Sequence, residues 1–189
     1  GQPPHLTQAE LTDREPLLAG GENRVGIASG IEPNLNLSLS YEYGLEIGAI
    51  DRVLHLGASL ALPATRLNFQ NFDQQIRARM VVWSYSGFHI VNSLHFAVGR
   101  AETRTFHSYR LALGDEIAIG WYSPSWFVAA TAEVEWTFLD RITHTDFYRE
   151  NVYEDAVDGW YATGAGRFQF GLEVGGTVAE RVDIVFETK

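Results

Sequence analysis

The chain has 189 residues, 46% of them apolar and 20% charged, with a net charge of −10 and no cysteine. That length favours one domain, and the apolar share excludes a disordered tail. The missing cysteines exclude disulfides, thiol catalysis and cysteine-bound metals, and the acidic balance excludes general nucleic-acid binding.

Residues 1–22 are polar and contain prolines, which predicts an extended N-terminal segment with one helical turn around Gln8–Leu11. From Asn23 the pattern turns to period two. It predicts strands at 23–31, 35–47, 52–62, 74–84, 88–99, 106–122, 126–138, 160–175 and 179–187. The clearest is Leu35–Gly48, where Leu35, Leu37, Leu39, Tyr41, Tyr43, Leu45 and Ile47 alternate with polar residues and glycines. Side chains on a strand point alternately to opposite faces, so each segment has one apolar and one polar face. Short turns are expected at Gly48–Arg52, Ser84–Gly87, Tyr122–Ser125 and about 176–181. Longer polar connections are expected at Pro63–Asp73, Arg100–Thr105 and Leu139–Asp158. After the first hairpin, short and long alternate, which puts the long loops on one side of the sheet. Trp83, Tyr85, Phe88, Trp121, Tyr122, Trp126 and Phe127 cluster beside the short turns.

Alternation alone does not say which face is inside. Strand length does bear on it, since soluble strands usually run about 5–6 residues and tilted membrane-spanning strands about 9–11. The polar face mixes glycine and serine with Glu, Arg and His. Glycine weakens a solvated strand, but in a narrow lumen it acts as a spacer between ion-paired side chains.

In alternation, turn asymmetry and aromatic girdles, residues 23–187 resemble the small outer-membrane β-barrel proteins of Gram-negative bacteria. The resemblance implies an all-β, antiparallel, up-and-down transmembrane barrel at 23–189. About ten strands are expected, with eight as the alternative, preceded by a periplasmic segment at 1–22. Since only nine strands are legible, the tenth is supplied otherwise or comes from residues 106–122 folding as a hairpin about Gly114-Asp115. The implied location is the bacterial outer membrane, with extracellular long loops in contact with lipid and lipopolysaccharide. A soluble calycin-like or avidin-like barrel holding an apolar ligand is the competing fold.

The polar face carries Glu42, Glu46, Arg77, Arg79, His95, Glu116, Glu133, Glu135, Arg167 and Glu173. In a barrel these line the lumen, either as a narrow pore or as a neutralising network that plugs it. A barrel of about eight strands is filled by its own side chains and ten add little room, which favours the plug. Asp115 breaks the apolar face of Leu111, Leu113, Ile117 and Ile119. A carboxylate facing hydrocarbon is costly. It calls for a bulge, a proton, or a protein partner that donates a hydrogen bond, and the unchanged parity on either side favours the partner.

His144-Thr145-Asp146 invites a rim-site hydrolase reading, protease or lipid deacylase, in which Asp and His activate water. The second acidic pair of the omptin proteases is not recognisable. His107-Ser108, adjacent on a strand, point to opposite faces and form no dyad. The histidines show no zinc spacing. No catalytic residue, metal or cofactor is therefore expected.

Overall fold

The computed structural model describes residues 20–32, 34–48, 52–64, 70–123, 126–178 and 182–188. Residues 1–19, where the helical turn is expected, lie outside the described part. The strands are β1 (Asn23–Glu32), β2 (Asn34–Ile47), β3 (Arg52–Pro63), β4 (Phe72–Tyr85), β5 (Phe88–Glu102), β6 (Phe106–Tyr122), β7 (Trp126–His144), β8 (Gly159–Tyr161), β9 (Ala165–Val178) and β10 (Val182–Thr188). A short helix, α1 (Asp146–Asn151), sits between β7 and β8.

Nine strands form one antiparallel sheet in up-and-down order, and the short β8 pairs only with the far end of β7. The expected closure is not seen, because the ladder ends at β1 and β10, which do not pair. Consecutive antiparallel strands alternate direction, so the first and ninth run the same way and cannot close by antiparallel pairing. The proposed hairpin about Gly114-Asp115 is also absent. β6 runs straight through, with Gly114 between His95 and Glu135 and Asp115 between Leu94 and Val134.

Two connections differ from expectation. Arg100–Thr105 is not a long loop: β5 continues to Glu102, and Thr103 N donates to Phe106 O at 2.9 Å. Within Leu139–Asp158, β7 continues to His144 and α1 follows. At the other end, β4 and β5 are joined by Ser86 and Gly87 alone, with φ of 48° and 81°. Two successive left-handed residues give a turn whose twist matches the flanking strands.

The two faces follow the alternation, with the polar face inside. Leu37, Leu39 and Tyr41 are exposed, as are Ile76, Leu94, Leu113, Ile117, Ile119, Val134, Phe168 and Phe170, the last at 75%. His55, His89, Ser93, His95, Glu116, Thr131, Glu133 and Glu135 are buried. At the short-turn end the inner face is apolar: Val81, Val91, Ala118, Tyr122 and Ala129 cluster there, with Phe127 packed against them.

Two bulges reset the parity. Val82 is extra in β4, since Val81 pairs with Val91 and Trp83 pairs with Ile90. This turns Trp83, which shares its parity with Arg77 and Arg79, to the exposed face, where it stacks on Tyr85. Phe138 is extra in β7, because Leu111 pairs with Leu139 and Ala112 with Thr137. Beyond it Asp140 stands opposite Arg110. The aromatic cluster therefore splits. Trp83, Tyr85, Phe88, Trp121 and Trp126 are exposed, whereas Tyr122 and Phe127 stack inside at 5.3 Å.

Candidate functional site

Cross-strand register assembles the inner face into rows. One row runs Glu42, Gly57, Arg77, His95, Gly114, Glu135, Arg167 across seven strands. The next runs Gly44, His55, Arg79, Ser93, Glu116, Glu133, Gln169. The polar set expected from alternation is thus brought together, with two residues at its margin. Glu46 is exposed, and the Arg167 side chain is 45% exposed. Glu173 lies closer to the short-turn end, opposite Ala129.

Glycine positions shape this face. A Cβ on Gly114 would clash with the Cε1–Nε2 edge of the His95 imidazole. With no side chain there, the ring lies across β6 and approaches β7. Its Nε2 stands 3.5 Å from Glu133 Oε1 and 3.7 Å from Glu135 Oε2. Gly99 plays the same part for Arg110, whose Nε would be 2.8 Å from a Cβ on Gly99. The Arg110 guanidinium reaches Asp73 Oδ2 at 2.6 Å and Glu135 Oε1 at 3.3 Å. Arg167 approaches the same Glu135 oxygen at 3.5 Å. Both arginines therefore hold Glu135 by Oε1, and Oε2 is left towards His95. Among the described residues, neither His95 Nε2 nor Glu135 Oε2 has a hydrogen-bond partner. The same is true of both ring nitrogens of His55, which is 2% exposed.

Asp73, the partner of Arg110, falls at the end of the expected connection Pro63–Asp73 but belongs to a strand. β4 begins at Phe72 and carries Asp73 into the ladder opposite Gly99. Asp140 was missed because the bulge at Phe138 reverses the parity that would have revealed it.

On the exposed face, Asp115 accepts a hydrogen bond from Asn92 Nδ2 at 2.5 Å. The strand does not bulge there, so a bulge is not what accommodates the carboxylate. A donor is supplied from within the chain, by β5.

At the long-loop end His144 pairs with Asp158 rather than Asp146. Asp158 Oδ1 accepts from His144 N at 2.8 Å and lies 3.0 Å from His144 Nδ1, while Oδ2 accepts from Arg149. The His144 backbone N–H foremost, with Arg149 and the His144 ring, holds the Asp158 carboxyl down at about 2. Asp146 instead opens α1, where an acid suits the positive end of the helix. Thr145 caps the helix and also donates to Arg104 O at 2.8 Å, and Arg104 lies over the Phe147 ring at 3.8 Å. The carboxylate is thus spent on clasping the loop. His107 stands opposite Glu102 and Ser108 opposite Ala101, so the imidazole and hydroxyl occupy different faces.

No family model, curated protein or solved structure matches the chain.

Proposed function

We propose that this chain is an outer-membrane β-barrel protein of the Gram-negative type, non-enzymatic, acting as a scaffold with a plugged lumen within a larger membrane complex. One observation carries the reading: the exposed face of the sheet is apolar and the buried face is ionic. A soluble calycin-like barrel has these faces the other way round. Water does not tolerate an apolar surface of this extent, since contiguous patches on soluble monomers seldom exceed about 300–600 Å². The exposed Trp83, Tyr85, Phe88, Trp121 and Trp126 fit a membrane–water interface. Along β6, Tyr109 and Trp121 bracket Leu111–Ile119; at about 3.3 Å per residue and a tilt near 45°, the distance from Tyr109 to Trp121 is roughly 28 Å, the height of an apolar band with its flanking aromatics.

The plug is favoured over conduction by two layers of filling. The ion-paired rows fill the middle of the inner face. The cluster of Val81, Val91, Ala118, Tyr122 and Ala129 fills its short-turn end. An antiparallel closure between β1 and β10 takes one more spanning strand, contributed from beyond the described strands or by a partner in the membrane. The Asp115–Asn92 pair marks the face where such a partner would find polar atoms inside an apolar surface. No catalysis is assigned to the rim, where Asp158 is bound on both oxygens.

Fractionation and planar-bilayer recording test the proposal together. The chain is expected in the outer-membrane fraction, with protease access in intact cells at the exposed residues 152–155. Reconstituted, it is expected to give no steady large conductance. Recovery in a soluble fraction, or large steady channels, would contradict it.

A further inference from the structure

We propose that His95, Glu133 and Glu135 form a binding site for one divalent first-row transition-metal ion. The site depends only on the inner face and not on what covers the apolar face. It therefore stands or falls separately from the membrane reading.

Distance is the first argument. A hydrogen bond between an imidazole nitrogen and a carboxylate closes to about 2.7–3.2 Å. Here Nε2 sits 3.5 Å from Glu133 Oε1 and 3.7 Å from Glu135 Oε2, longer than that range and shared between two carboxylates. Two ligand atoms each about 2.1 Å from a tetrahedral ion stand roughly 3.4 Å apart. The three ligand atoms lie within 4.8 Å of one another. The imidazole nitrogen stands to both carboxylate oxygens at close to the spacing of ligands around an ion.

Burial is the second argument. The His95 side chain is 2% exposed and that of Glu135 is 3%. A buried polar atom that makes no hydrogen bond is destabilising. His95 Nε2 and Glu135 Oε2 are two such atoms, 3.7 Å apart. A metal ion would satisfy both at once. Glu116, directly opposite Glu133 in the ladder, adds a further carboxylate beside the site.

Local architecture is the third. Gly114 leaves the gap through which the ring reaches β7. Arg110 and Arg167 fix Glu135 through Oε1, which orients Oε2. Their positive charge also weakens attraction for a cation, so the site is one for exchangeable binding. One imidazole with two carboxylates suits zinc, iron, cobalt or nickel. Calcium prefers six to eight oxygen ligands, and magnesium an octahedron of oxygens.

The test is titration of Zn²⁺ into the untagged, folded full-length chain, followed by calorimetry. One ion per chain is expected. His95→Ala and Glu135→Gln should each weaken binding at least tenfold, and His144→Ala should leave it unchanged. Absence of binding to the folded wild type, or binding unaffected by both inner-face variants, would overturn the proposal. Should either variant fail to fold, ¹⁵N-histidine labelling of the wild type decides. Zn²⁺ is expected to move the Nε2 resonance of His95, and movement confined to other histidines would overturn it.

Discussion

Asn92 and Asp115 form a hydrogen-bonded pair on the exposed apolar face, lying diagonally across β5 and β6. Asn92 satisfies the Asp115 carboxylate among Leu94, Ile117 and Ile119, and its amide also donates to Glu116 O at 3.4 Å. Replacing Asn92 alone leaves the Asp115 carboxylate without this donor. Asn92→Leu is expected to destabilise the folded chain by about 1–3 kcal/mol. The double variant Asn92→Leu/Asp115→Leu should recover most of that loss. Denaturant unfolding in lipid vesicles measures both. If instead the double variant keeps the fold but loses co-purifying partners, the pair serves an interface. If stability and assembly are both unchanged by every variant, neither role holds.

Gly114 and His95 are coupled by close approach, since a Cβ on Gly114 would clash with the edge of the imidazole ring. Gly114→Ala is expected to cost about 1–3 kcal/mol by overpacking. In a His95→Ala background the same substitution should cost far less, because the ring it strikes is gone. Equal costs in both backgrounds, read from the same unfolding curves, would show that the two sites do not interact.

Asp158 provides a pH test outside the strands. Its carboxyl is held at about 2 against an ordinary value of 3.8, chiefly by the backbone N–H of His144. A depressed carboxylate contributes stability in full above its unfolded pKa and loses it as pH falls through the folded pKa. The clasp of His144, Arg149 and Asp158 should therefore persist from neutral pH to about 4 and fail on the way down to 2. A side-chain carboxyl titration followed by ¹³C NMR is expected to give a midpoint near 2 for Asp158. A midpoint at or above the ordinary value would mean that the clasp does not form.

The strands were legible because alternation is a local property. Leu35–Gly48 can be read residue by residue, and the structure keeps every parity that Leu37–Leu45 predicts. The errors sit where one residue changes the count. Val82 and Phe138 each add an unpaired residue, and the faces of Trp83 and Asp140 follow from those bulges rather than from the pattern. Polar composition made Asp73 and residues 139–144 look like loop, although ion pairing and edge position allow such residues to continue a strand. The inner-face cluster was legible as a set but not as a geometry. His95 and Glu135 are neighbours only because Gly114 stands between them in the ladder. Asn92 was not recognised as the donor to Asp115, since sequence alone does not set the register of β5 against β6. Closure was expected from the resemblance, and the nine-strand count already contained the reason it is not made.

The central claim is that the apolar face meets lipid and the ionic face does not. The chain contains no cysteine, so single cysteines can be introduced without interference. Nitroxide labels placed one at a time at Leu113, Ile117 and Ile119, and at Ala112, Ala118 and Gly120, would be compared in lipid vesicles. Collision with oxygen, which concentrates in the bilayer, and with a water-soluble nickel chelate would be measured at each site. The account predicts high oxygen and low nickel accessibility at Leu113, Ile117 and Ile119, and low oxygen accessibility at the other three, in strict alternation. Nickel accessibility at Ile117 and Ile119 equal to that of a label in residues 152–157 would contradict it.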